Sequence, residues 1–127
     1  MKVIEINIDF DGTCVTHNYP YIGKDIGAIS ALKELTDKGH KLILFTMRSD
    51  KQLADAVNWF SSNNIPLYGI NKNPTQHLWT KSPKSYAPLM IDDSALGCPL
   101  TYSKEISDRP YVDWIKVEEI LKEMNLI

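Results

Sequence analysis

The chain has 127 residues, 43% of them hydrophobic and 24% charged, with a formal net charge of -2. That is enough apolar content for one compact domain over residues 1–127, with no second domain required. The near-neutral balance and scattered lysines provide no basic stripe of the kind that neutralises a nucleic-acid backbone. No apolar run is long enough to span a bilayer, and the amino terminus carries no basic or apolar leader. The expectation is a cytoplasmic protein with no nucleic-acid groove and no membrane partner.

Val3 to Ile8 reads as a short strand that runs into Asp9-Phe10-Asp11-Gly12-Thr13. Residues two apart in an extended segment point the same way, so Asp9 and Asp11 converge beyond the strand end. At about 4 Å and an effective dielectric of about 20, two bare carboxylates repel by roughly 4 kcal/mol. A shared proton, a basic side chain or a bound cation relieves such repulsion. Gly12 permits a tight turn and close approach of backbone to ligand, and Thr13 adds a hydroxyl. Glu5 and Asn7 interrupt the strand's apolar pattern, and the sequence offers only a local hydrogen bond to explain them.

Cys14 to Lys24 forms a flap over the strand end, with His17 a candidate for substrate contact. Cys14 itself reads as a small buried filler, and with Cys98 it is one of too few cysteines for a disulfide framework. The spacing of Ile29, Leu32 and Leu35 predicts a helix over 25–38 that stops at Gly39, after which His40 is structural. Lys41 to Phe45 is an almost continuous apolar run, as in a strand covered by helices on both faces. It ends in Thr46-Met47-Arg48. Ser49 and Gln52 form a capping-box pattern before a helix that carries Leu53, Val57 and Phe60 on one face and ends near Asn63.

Residues 66–70 read as a weak strand and 71–85 as a long polar loop containing a solvated His77. Leu89-Met90-Ile91 is a short strand ending in Asp92-Asp93. A small strand near Leu100 and a helix over 113–124, with Trp114, Val117, Leu121 and Met124 facing inward, complete the pattern. Trp59, Trp79 and Trp114 share no spacing and read as packing residues.

Strands alternating with helices predict an α/β fold, a Rossmann-like three-layer sandwich with a mostly parallel central sheet covered on both sides. Asp9 and Asp11, Thr46, and Asp92 with Asp93 all fall at the C-terminal ends of strands. Open sheets of this class bind ligands at that edge, so three strand ends are expected to supply one site.

With these residues assembled, the chain resembles the haloacid dehalogenase (HAD) superfamily, most of whose members are magnesium-dependent phosphatases. Asp9-Phe10-Asp11-Gly12-Thr13 looks like the first family motif and Thr46 like the second. Lys84 or Lys81 looks like the third, with Lys84 preferred, and Ile91-Asp92-Asp93 like the fourth. The resemblance implies a phosphomonoester hydrolase in which Asp9 is the nucleophile and forms an aspartyl-phosphate. Asp11 would be the general acid and then the general base, with Thr46 and Lys84 on the phosphoryl oxygens. It implies Mg2+ held by Asp9, the backbone carbonyl of Asp11, and Asp92. Because neighbouring residues in an extended chain point apart, Asp93 is expected to act indirectly. Gly12, Met47, Arg48 and Lys81 are the expected substrate contacts, although a surface ion pair suits Arg48 equally.

Neither the flap nor the 71–85 loop has room for the cap domain that the family often inserts. The resemblance is thus to its capless members, whose open site takes a bulky substrate or is closed by a neighbouring subunit of a homo-oligomer. The implied substrate is a small phosphorylated metabolite or a phosphorylated macromolecule. The alternative is a catalytically silent binding module. A response-regulator phosphoacceptor domain fits less well, because the second strong strand here ends in Thr46 and the adjacent acidic pair comes late.

Overall fold

In a computed structural model, which describes residues 2–127, four strands form one sheet: β1 (Glu5–Ile8), β2 (Lys41–Leu44), β3 (Gly69–Ile70) and β4 (Leu89–Ile91). The strand order is β3-β2-β1-β4, and every pair is parallel. The helices are α1 (Ala28–Asp37), α2 (Asp50–Ser62) and α3 (Trp114–Glu123), and a separate antiparallel ribbon pairs β5 (Leu100–Thr101) with β6 (Tyr111–Val112). The protein is a Rossmann-like three-layer α/β sandwich built around an all-parallel sheet. No helix of the described residues is long and apolar enough to cross a membrane.

The layers are unequal. Ile6 lies opposite Leu42 and Leu89, and Ile8 opposite Leu44 and Ile91, so strand alternation puts these residues on one face. They join Leu32 and Leu35 of α1, Phe60 of α2, and Val117 and Leu121 of α3 in a single hydrophobic cluster. Right-handed crossovers from β1 to β2 and from β2 to β3 advance in the same direction, which puts α1 and α2 on that face together.

Asn7, Ile43 and Met90 are in register on the opposite face. Helices were expected there; instead the segment 71–88, with one 3-10 turn at Gln76–Leu78, forms the third layer. This accounts for Asn7. Its buried amide donates to Ser85 O at 3.1 Å, and its Oδ1 accepts the Ser85 hydroxyl at 3.3 Å. The buried Gln76 side chain donates to Ser82 O and Lys84 O and accepts the Tyr86 N–H, while Asn73 donates to Tyr86 O. Polar side chains satisfying loop backbone thus do the work that a helix ladder would do.

Several element boundaries differ from expectation. α1 begins at Ala28 because Gly27 sits in the left-handed region at φ 91°, and Asp25 bridges to Val15 while accepting the Gly27 N–H. Its inner face is Ala28, Ala31, Leu32 and Leu35, with Ile29 only half-buried. Ser49 precedes α2, but its hydroxyl caps no backbone N–H, so the capping box does not form. α3 is capped by Asp113, which accepts the Lys116 N–H at 3.2 Å, and Met124 is 47% exposed rather than inward. His40 is structural: Nδ1 accepts the Ile4 N–H and Nε2 donates to Leu126 O at 2.9 Å. Trp59 packs edge-on against Phe10 and Phe60, and Trp79 is exposed against Tyr86.

Removing the Asn7 amide leaves the buried Ser85 groups without partners, a loss of about 1–3 kcal/mol. Asn7→Ala is expected to lower the denaturation midpoint by that amount and to speed amide exchange across 71–88 more than across the helices. Uniform acceleration over the whole chain would show that this layer is held by something else.

Candidate active site

The strand ladder carries the site residues into place. Beyond the strands proper, the Asp9 N–H donates to Ile91 O at 3.0 Å and the Phe45 N–H to Ile8 O at 2.8 Å, which aligns the ends of β1, β2 and β4. Asp9, Asp11, Thr46, Asp92 and Asp93 then line one cavity of about 710 Å³, together with His17, Phe45, Met47, Asn71, Ser94 and Arg109.

Asp9, Asp92 and Asp93 each offer a carboxylate oxygen, and the three oxygens lie within 4.8 Å of one another. Asp93 therefore stands beside its neighbour, against the expectation that it would face away. β4 ends at Ile91, so strand alternation no longer governs residues 92 and 93. The buried Thr13 hydroxyl accepts the Asp93 N–H at 3.0 Å, and its oxygen lies 2.8 Å from Asp9 Oδ2 and 3.2 Å from Asp93 Oδ1, as donor. His17 Nε2 is 2.9 Å from Asp93 Oδ2, and Asp92 accepts both the N–H and the hydroxyl of Ser94.

Burial, foremost, raises the Asp9 pKa from 3.8 to about 8; the hydrogen bond with Asp93 and the charges of Asp92 and Asp93 add to it, and the Thr13 hydroxyl opposes it. The cluster thus retains a proton that a bound cation would replace. Its donors are hard carboxylate oxygens, which fit magnesium. Cys14 contributes no ligand: it is buried, its thiol donates to Asp9 O at 3.3 Å, and desolvation pushes its pKa well up.

Asp11 is held differently. Arg48 donates to both of its oxygens, Nε to Oδ2 at 2.8 Å and Nη2 to Oδ1 at 2.7 Å. The remaining guanidinium protons go to Pro20 O, Tyr21 O and Gln52 O, and the group lies 5.0 Å from the Phe10 ring centre and 5.2 Å from that of Tyr19. Arg48 is 3% exposed. Neither expected role fits: it does not line the cavity, and its ion pair is not on the surface.

Thr46 projects from the end of β2. Its N–H donates to Asn71 Oδ1 at 2.7 Å and its oxygen accepts the Arg48 N–H at 3.2 Å, which leaves the hydroxyl proton for a ligand. Met47 is 99% exposed at the cavity wall. Gly12 is not among the lining residues. At φ 79° it admits the His17 ring and the Asp93 carboxylate where a Cβ would stand, so it makes room for protein groups instead of a ligand.

The lysines are the largest departure. Lys84 and Lys81 both lie outside this cavity. Lys84 is tied into the third layer, its N–H to Ser82 Oγ and its carbonyl to Gln76 Nε2. The adjoining Ser85 is bound to Asn7 in mid-strand, which draws the segment over the sheet face and away from the strand ends. Lys81 lines a separate cleft with Lys72 and His77. The cation that does line the acidic cavity is Arg109, between β5 and β6; no strand-end position or motif spacing marked it in the sequence.

A solved structure of a conserved protein from Bacteroides thetaiotaomicron is similar to this one, with a TM-score of 0.77 and 34% identity over 97% of this chain and 93% of that chain. This chain belongs to the family of that conserved protein. Neither a protein-family model nor a curated protein matches it. The shared fold extends over nearly the whole of both chains, so both the helical face and the thin layer fall within the likeness.

Truncating Arg48 strands Asp11 without its partner. Arg48→Met is expected to lower stability by about 2–3 kcal/mol, less than the ~3–5 kcal/mol for a fully buried pair because Asp11 is partly solvated. Arg48→Met/Asp11→Asn should recover part of that loss in equilibrium denaturation. For Asp9 the folded pKa lies above the unfolded value, so its favourable contribution is complete below about pH 4 and is lost as pH rises through about 8. Melting of metal-free protein should accordingly fall over that window, and Asp9→Asn should flatten the profile.

Proposed function

We propose that the protein is a magnesium-dependent phosphomonoester hydrolase of the haloacid dehalogenase type, acting through an aspartyl-phosphate on Asp9. The observation that carries this reading is the separation of two carboxylates one residue apart: Asp9 lies in a three-oxygen cluster, and Asp11 lies in an ion pair on the same cavity. One is poised beside a cation site, the other beside an arginine.

Magnesium held by Asp9, Asp92 and Asp93, with the Asp11 carbonyl as the resemblance implies, would neutralise the carboxylates and the phosphoryl oxygens. Asp9, freed of its proton, attacks phosphorus as the ester P–O bond breaks. Asp11, paired with Arg48 as a carboxylate, first takes up a proton from solvent and then passes it to the departing oxygen. Arg48 engages both Asp11 oxygens, and each keeps a second lone pair for that proton. In the second half, Asp11 takes a proton from water, the water oxygen bonds to phosphorus, and the bond to Asp9 breaks. The Thr46 hydroxyl donates to a phosphoryl oxygen, and a transferring phosphoryl group gains most from such positioning. A cavity of about 710 Å³ falls in the range of small-molecule sites, which favours a phosphorylated metabolite as substrate.

Chelator-sensitive release of p-nitrophenol from p-nitrophenyl phosphate is the direct test. Asp9→Asn is expected to abolish turnover, and Asp11→Asn to reduce it about 10²–10⁴-fold on alkyl phosphates. Wild-type protein with no magnesium-dependent turnover, or an Asp9→Asn variant as fast as wild type, would sink the proposal. Magnesium must displace the Asp9 proton, so its affinity should rise towards pH 8 and then level; calorimetry in buffers of different ionisation enthalpy reads the released proton.

A further inference from the structure

The acidic cavity holds more room than a phosphoryl group and a metal ion fill, and its charge is uneven. Asp9, Asp92 and Asp93 gather on one wall, while Asp11 is neutralised by Arg48. Arg109 lines the same cavity yet makes no ion pair within 4.0 Å among the described residues, whose three pairs are His17–Asp93, Arg48–Asp11 and Lys51–Asp55. Arg109 is exposed and lines a cavity with four carboxylates while its side chain pairs with none of them, so it is a cation at this site available to an incoming anion.

Its backbone is anchored. The Ser107 hydroxyl donates to Arg109 O at 2.8 Å and accepts the Arg109 N–H at 3.2 Å. Three residues on, the Val112 N–H donates to Gly12 O at 3.0 Å, which fixes the β5–β6 ribbon against the first acidic motif. Phe45 and the exposed Met47 contribute apolar wall to the cavity, a surface suited to a short carbon chain.

We propose that Arg109 binds a second oxyanion on the substrate, so that the preferred phosphomonoester carries a carboxylate or another phosphate separated from the scissile phosphate by a short carbon chain. The proposal rests on the hydrolase reading for its kinetics but not for its binding. Planar guanidinium matches either oxyanion bidentately, and the two sources are distinguished by experiment.

Two matched pairs test it: 3-phosphoglycerate against glycerol 3-phosphate, and 1,3-propanediol bisphosphate against 3-hydroxypropyl phosphate. Wild type is expected to favour the doubly anionic member at least tenfold in kcat/KM, and the pair with the larger ratio identifies carboxylate or phosphate. Arg109→Gln should bring the ratio close to one, chiefly by raising KM for the doubly anionic member. Arg109→Lys should restore part of it, and Lys104→Gln, an exposed cation on the same connection and outside the cavity lining, should retain it fully. Ratios unaffected by Arg109→Gln, or both members of a pair slowed alike, overturn the proposal.

Binding to magnesium-loaded protein supplies a readout independent of turnover. Across phosphonoacetate, 3-phosphonopropionate and 4-phosphonobutyrate, at least one should bind about tenfold tighter than its uncharged alkylphosphonate counterpart, and Arg109→Gln should remove that advantage. If the advantage is present and lost in the variant while no ester is hydrolysed, the hydrolase reading fails and the subsite stands. If p-nitrophenyl phosphate is hydrolysed but neither preference is seen, the subsite fails alone.

Discussion

The site is organised around one buried guanidinium. Arg48 has five N–H donors, and all five are used: two on Asp11 and one each on Pro20 O, Tyr21 O and Gln52 O. Three segments, the first acidic motif, the flap that follows it and the first turn of α2, are thereby fixed to a single planar group. Its pairing with Asp11 keeps it firmly charged, raising its pKa above the ordinary value. A lysine could not replace it, because an ammonium has three donors and no fork. Holding the flap at Pro20 and Tyr21 also holds His17, which lies within hydrogen-bond reach of Asp93.

This arrangement answers the electrostatic difficulty of two carboxylates one residue apart. They do not share a partner. Asp11 turns to Arg48, and Asp9 turns to Thr13 and the acidic pair beyond β4. Thr13 is the counterpart of Arg48 on that side: its one oxygen lies within hydrogen-bond distance of the Asp9 and Asp93 carboxylates and accepts the Asp93 amide. The neutral hydroxyl cancels no charge, so the cluster relies on the proton that Asp9 retains, whereas the guanidinium cancels the charge of Asp11. The first centre thus has a donor set that could hold a cation, and the second does not.

Much of this was legible in the chain because apolar runs and their polar ends are local signals. The parallel sheet and the convergence of Asp9, Thr46 and Asp92 follow from strands that end in chemistry. What escaped were relations between segments. Asp93 was misplaced by extending strand alternation past Ile91, where the strand stops. Lys84 was drawn out of the site by a bond between Ser85 and Asn7, 78 residues apart, and the same bond explains the polar interruption in β1 that the sequence left open. Arg48 gave no sign of burial, since its acceptors include three backbone carbonyls, which carry no sequence signature. Arg109 sits on a connection outside the alternating pattern altogether.

The third layer differs in kind from the helical one. α1, α2 and α3 share an interlocked apolar core with the sheet, and any added volume there disturbs close packing. The segment 71–88 instead grips the sheet at Asn7 and itself through Asn73 and Gln76, while Leu78 and Trp79 stand largely in solvent. Chain added between those two grips meets water and not a core, and exposed loop tips are where insertions are tolerated. The thin face is therefore where this scaffold can acquire new length in evolution or by grafting, with the edge of strand ends that lines the acidic cavity left intact.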